Sequence, residues 1–135
     1  MTERDLLEYM HCEREISKLR AKYREEEDKL CCPRAPSMDG MPRGAGSDDP
    51  FLDILDRRRR YKERIDRLVE DRLIAERRLD RVYGILTSDL ERDVFDALYR
   101  EGKSISDIHQ EMHYSKSHIY LQRARILEAV KDAPA

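Results

Sequence analysis

Ser104–Leu127, SISDIHQEMHYSKSHIYLQRARIL, is the stretch on which the fold turns. It divides into two short helices around a tight turn. Ser104 can cap the first, whose apolar residues are Ile105, Ile108 and Met112. A serine oxygen at that place accepts a backbone N–H that the helix leaves unpaired. Asp107 adds negative charge to the same first turn, where the helix dipole favours it. Ser115 opens the second helix in the same way, with Ile119, Ala124, Ile126 and Leu127 as its apolar side. Only His113 and Tyr114 remain between the two, room for a sharp turn. Two helices so joined, the second longer and more basic, have the plan of a helix-turn-helix, which lays its second helix in the DNA major groove.

The charges divide along the same line. From His113 to Lys131 the cations Lys116, Arg123, Arg125 and Lys131 face one acid, Glu128. From Thr87 to Glu111 the acids Asp89, Glu91, Asp93, Asp96, Glu101, Asp107 and Glu111 outnumber Arg92, Arg100 and Lys103. Phosphate contact needs a local surplus of this kind rather than a basic protein.

Composition bounds the rest. The chain has 135 residues, 41% of them charged, a formal net charge of −2, no Trp and two Phe. Such a chain predicts long amphipathic helices rather than a thick globular core, in one domain or two small units. No apolar run has the length of a membrane span and the charged first residues do not read as a secretory signal, so a cytoplasmic protein is expected. Cys12, Cys31 and Cys32 are too few and too clustered for a disulfide framework, which suits a reducing compartment.

Four segments follow in order. Residues 1–30 read as one helix capped by Thr2 and Asp5. Its heptad seam is Tyr9, Cys12, Ile16, Leu19, Tyr23 and Leu30, interrupted at Glu26. The acidic run Glu25–Asp28 stands where the helix dipole disfavours it and predicts fraying. Residues 31–50, with four prolines and three glycines, read as a linker. Asp49 as cap and Pro50 in the first turn then start a helix over 51–86. Its seam is Ile54, Tyr61, Ile65, Leu68, Ala75, Leu79, Val82 and Leu86. Arg58 and Arg72 reach sideways from it, and Val69, Leu73 and Ile74 widen it. The first helix packs antiparallel on this one, or the long helices form a dimeric coiled coil, or both. The run Arg57–Arg60 is either a second phosphate contact or, as its acidic neighbours Asp53, Asp56, Glu63 and Asp66 favour, a solvated face. Residues 87–135 complete the chain. A capping box of Ser88 and Glu91 starts a helix through Arg100, with Leu90, Val94, Phe95 and Leu98 inside and Gly102 as its left-handed end. The expected fold is all-α, a long coiled-coil-like helical hairpin followed by a three-helix helix-turn-helix domain.

The segment LERDVFDALYREGKSISDIHQEMHYSKSHIYLQRARIL, from Leu90 to Leu127, resembles the region-four helix-turn-helix of bacterial sigma factors. Nearly the full chain resembles small phage-encoded regulators of the RinA/ArpU type. Those share the helical start, a loop like MPRGAGSDDP, the long helix and a motif like MHYSKSHIY. The resemblance implies control of phage (late) transcription in a bacterial host, with the terminal domain on promoter DNA. Carried over by position, Ser115, Lys116, Ser117, Tyr120 and Arg123 would face the major groove. Ser115 would offer its backbone N–H to phosphate, and the others would meet bases or phosphates. His118 would pack inward or touch phosphate; Ile119 would be core. The chain departs from the pattern at three places. His109 replaces the usual Ala, His113 the usual Gly at a positive-φ position, and Gln122 a usually apolar residue. The last leaves open which side of the helix turns outward.

Catalytic patterns are absent from the sequence. HQEMH, His109–His113, lacks the glutamate that a zinc protease needs directly after its first histidine. His11 and Cys12 with Cys31 and Cys32 could meet zinc only if the hairpin closed, and idle thiols are commoner. No enzyme, cofactor or metal is therefore expected. Two functions fit: a DNA-binding regulator, dimeric through its helices, or a protein-interaction adaptor whose hairpin binds a partner such as RNA polymerase.

Overall fold

The spacing of Thr2 and Asp5 starts the first helix. The Thr2 N–H and hydroxyl donate to Asp5 Oδ2 at 2.8 and 3.3 Å, and the Asp5 N–H donates back to the Thr2 carbonyl at 3.0 Å. The Thr2 N–H bond lowers the Asp5 pKa. The structure, a computed structural model, describes residues 1–31 and 50–134, for Cys31 the backbone alone. Helix α1 spans Glu3–Cys31 and α2 spans Pro50–Ile85, so Cys31 and Pro50 belong to helices rather than to the expected linker. The remainder of that linker, with Cys32 and the expected cap Asp49, lies outside the described residues. Among the described residues there is no strand, and no helix is long and apolar enough to cross a membrane.

Packing divides the chain into two compact units, Met1–Arg14 with Glu70–Ala135, and Glu15–Val69. In the second unit the seam residues Ile16 and Leu19 are buried, while Tyr23, Leu30, Ile54, Tyr61, Ile65 and Leu68 are half-buried. Glu26 is buried too, and α1 runs on through the acidic run to Cys31. Arg57 Nε and Lys29 Nζ each lie 3.2 Å from Glu26 Oε1. Burial alone would raise this carboxyl; the bonds to Lys29 and Arg57 outweigh it and lower its pKa. Arg58 covers the seam as its long stem permits, donating to Tyr23 Oη at 2.9 Å with its guanidinium over that ring.

The first unit holds the main core. Here α1 and α2 run antiparallel. Asp5 faces Arg78, Tyr9 faces Glu76, and Arg72 Nη1 meets Glu13 Oε1 at 2.9 Å. Leu73 and Ile74, expected to widen the α2 stripe, are instead about half exposed at 49% and 50%. They stand outside the arc of Ala75, Leu79, Val82 and Leu86, which are all buried. Helix α3, Asp89–Phe95, begins at Ser88, but the expected capping box does not form: the Ser88 side chain accepts no bond. Arg92 holds the corner instead, its Nη2 donating to the Leu86 carbonyl at 2.8 Å.

The helix does continue to Arg100, but Asp96–Arg100 winds as a π-helical turn. Lys103 N–H closes onto the Ala97 carbonyl at 2.9 Å, one residue wider than a regular Schellman end. This extra residue carries Tyr99 inward, and burial pushes its hydroxyl up to about 12. Gly102 ends the turn at φ 68, and a Cβ there would stand 2.6 Å from Met10 Cε. Helices α4, Ile105–Met112, and α5, Lys116–Lys131, complete the unit. The core joins Val94, Phe95, Ala97, Tyr99, Ile108, Ile119, Ile126 and Val130 to Leu6 of α1 and to Leu79, Val82 and Leu86. Each large aliphatic buried this way is worth about 2–5 kcal/mol against truncation to alanine. The last three helices thus share their core with both long ones.

Candidate nucleic-acid interface

Helix α4 is fixed at both ends. Ser104 Oγ accepts the Asp107 N–H at 3.2 Å while Asp107 Oδ2 accepts the Ser104 N–H at 3.4 Å, a complete capping box. At the other end His113 takes φ 60, ψ 22, the left-handed conformation that the sequence pattern assigns to glycine, and its N–H donates to the His109 carbonyl. His109 Nδ1 donates to the Tyr114 carbonyl across the turn; a carbonyl only accepts, so the proton lies on Nδ1. His109 is therefore an exposed brace for the turn rather than a spacer between helices. The Tyr114 and His118 rings meet at 5.7 Å, and His118 is half-buried.

Ser115 caps α5, its Oγ accepting the His118 N–H at 3.2 Å. The N–H groups of Lys116 and Ser117 have no acceptor within the helix, and both residues are exposed. Rotation of the helix follows from what it buries: Ile119, Gln122, Ile126 and Val130, spaced three, four and four. Ala124, expected inside, is exposed, and Gln122 takes the inward place; its Oε1 is enclosed without a donor among the described residues. Outward stand Ser117, Tyr120, Leu121, Ala124, Arg125 and Glu128.

Of the five residues expected at the groove, Ser115 is the cap, and Lys116, Ser117 and Tyr120 are exposed together along the start of α5. Arg123 is placed differently. Its Nε and Nη2 donate to Glu3 Oε1 at 3.1 and 2.8 Å, and Tyr99 Oη donates to the same oxygen at 3.2 Å. The bonds to Glu3 raise the Arg123 pKa, so its charge is both permanent and answered. Arg125, not among the five, stands exposed with no acid against it among the described residues. Its signal in the sequence was its charge, together with a place on α5 outside the row of Ile119, Ile126 and Val130. The Arg57–Arg60 run is engaged by acids: Arg57 by Glu26, Arg58 by Glu27 at 3.8 Å, and Arg59 and Arg60 by Asp56 at 2.8 Å.

Other chemistry is not assembled here. No group of three metal-ligating side chains occurs among the described residues. Cys12 is buried and His11 exposed, so the two do not converge. No family model, curated protein or solved structure matches the chain.

Proposed function

We propose that the chain is a DNA-binding transcriptional regulator of the phage late-gene type. In this reading α4 and α5 are a sigma-like helix-turn-helix, and α1 and α2 form a coiled-coil-like hairpin that dimerises. Helix α5, over 116–131, enters the major groove of double-stranded DNA. The observation that carries it is the outward side of α5: a serine-capped N-terminus with Lys116, Ser117, Tyr120 and Arg125 exposed on a helix whose other side is core. The N-terminus and the two free cations suit phosphate; the hydroxyls suit base edges or phosphate.

A second reading has support from α2. Leu73 and Ile74 are half exposed on a helix whose inner side is already filled, a surface that suits an adaptor binding a protein such as RNA polymerase. Selection of the purified protein on a random duplex pool, at near-physiological salt, separates the two. The regulator enriches a motif, palindromic if it acts as a dimer, and Lys116→Ala/Arg125→Ala weakens binding and flattens its salt dependence by about one to two in log–log slope. An adaptor retains no duplex.

A further inference from the structure

Resting on the DNA-binding reading, we propose that Leu121 and Ala124 determine specificity by reading the 5-methyl group of thymine. The middle of the outward side of α5 is apolar. Leu121 is 48% exposed and Ala124 is exposed, one and two turns beyond Ser117, while the amide that could have hydrogen-bonded a base, Gln122, is turned into the core at 2% exposure. Exposed leucine on a helix that also presents Lys116 and Arg125, exposed with no acid against them among the described residues, does not match an apolar protein groove, which would have to desolvate those charges. It does match the major groove, where phosphates flank the helix on both sides and the one apolar feature at the base edges is the thymine methyl. Lys116 at the start of the helix and exposed Arg125 supply the flanking charge; Tyr120, 53% exposed, lies beside Leu121. Helix α5 therefore reads by shape and apolar contact at its centre, with hydrogen bonds at its edges.

The test uses the full chain and the duplex it selects. Each thymine in that duplex is replaced singly by deoxyuridine, which removes the methyl and keeps the pairing. At one or two positions the affinity should fall about fourfold, the worth of one buried methyl. Leu121→Ala, at a half-exposed position that leaves the core intact, should bind the unmodified site about three- to fivefold more weakly. The same variant should lose the thymine-to-uridine difference at one of those positions. Leu121→Gln should do the same, and far-ultraviolet circular dichroism checks that both stay folded. Duplex binding in which no uridine substitution changes the affinity by as much as twofold overturns the methyl assignment and leaves the DNA-binding function standing. Retention of the full methyl effect in both Leu121 variants also overturns it. Failure to retain any duplex overturns both.

Discussion

Replacing Gln122 by leucine should stabilise the protein, the reverse of the usual result of a core substitution. Gln122 is 2% exposed on the inward side of α5, in line with Ile119, Ile126 and Val130, and its Oε1 has no donor among the described residues. An enclosed carbonyl of that kind costs about 1–3 kcal/mol, because the water it gave up is not replaced. Leucine is similar in size, removes the oxygen and buries apolar surface; repacking its branched end returns less than about 1.5 kcal/mol. The expected net gain is about 1–2 kcal/mol, a rise in Tm of roughly 4–8 °C. Thermal and urea unfolding followed by circular dichroism would measure it. Gln122→Ala separates the contributions, since it removes the oxygen but leaves a cavity, and should come out within about 1 kcal/mol of the parent. A leucine variant no more stable than the parent, with an alanine variant down by more than about 2 kcal/mol, would refute the reasoning, because the amide would then have a partner.

Three further outcomes follow from particular residues. His113→Gly should stabilise by about 1 kcal/mol, read by the same unfolding curves, because φ 60 costs a side chain what it does not cost glycine; a loss of stability would mean the ring contributes more than the strain removes. Burial, then the nearby Glu8 carboxylate, pushes the Cys12 thiol up to about 11, so at pH 8 its thiolate fraction is about a hundredfold below that of an exposed cysteine. In a Cys31→Ser/Cys32→Ser background, iodoacetamide should label Cys12 only after denaturation, and labelling at the rate of a free thiol in the native protein would contradict its burial. A fragment spanning 87–135 should lack cooperative unfolding, since it gives up Leu6, Leu79, Val82 and Leu86 from its core; a sharp thermal transition would show that three helices suffice.

The seam of α2 was legible because period and polarity agree there: Ala75, Leu79, Val82 and Leu86 are buried, and Arg58 and Arg72 reach sideways to Tyr23 and Glu13. Both serine caps of α4 and α5 were legible for the same reason, as a local rule decides each within four residues. Where polarity and period conflict, polarity misled. Ala124 looked internal, and Gln122, in a place usually apolar, left the rotation of the helix open; the three–four–four spacing through Ile119, Gln122, Ile126 and Val130 is the stronger constraint, since a helix cannot bend one side chain out of its row. The π-helical turn over Asp96–Arg100 has no local signature, and it decides that Tyr99 is inside.

Arg123 shows what no local pattern could supply. Its place on α5 and its charge suit phosphate, yet Glu3, 120 residues earlier, accepts from its Nε and Nη2, with the Tyr99 hydroxyl on the same oxygen. A guanidinium half-buried against a carboxylate and a core tyrosine orients the helix that carries it, and releasing it would leave Glu3 and Tyr99 unpaired. The cations left to meet an anionic partner are then those with nothing against them, Lys116 at the start of α5 and Arg125 on its outward side. The first turn of α1 thereby bonds α5 directly, so the segment from residue 87, read as a domain of its own, is tied to the other end of the sequence.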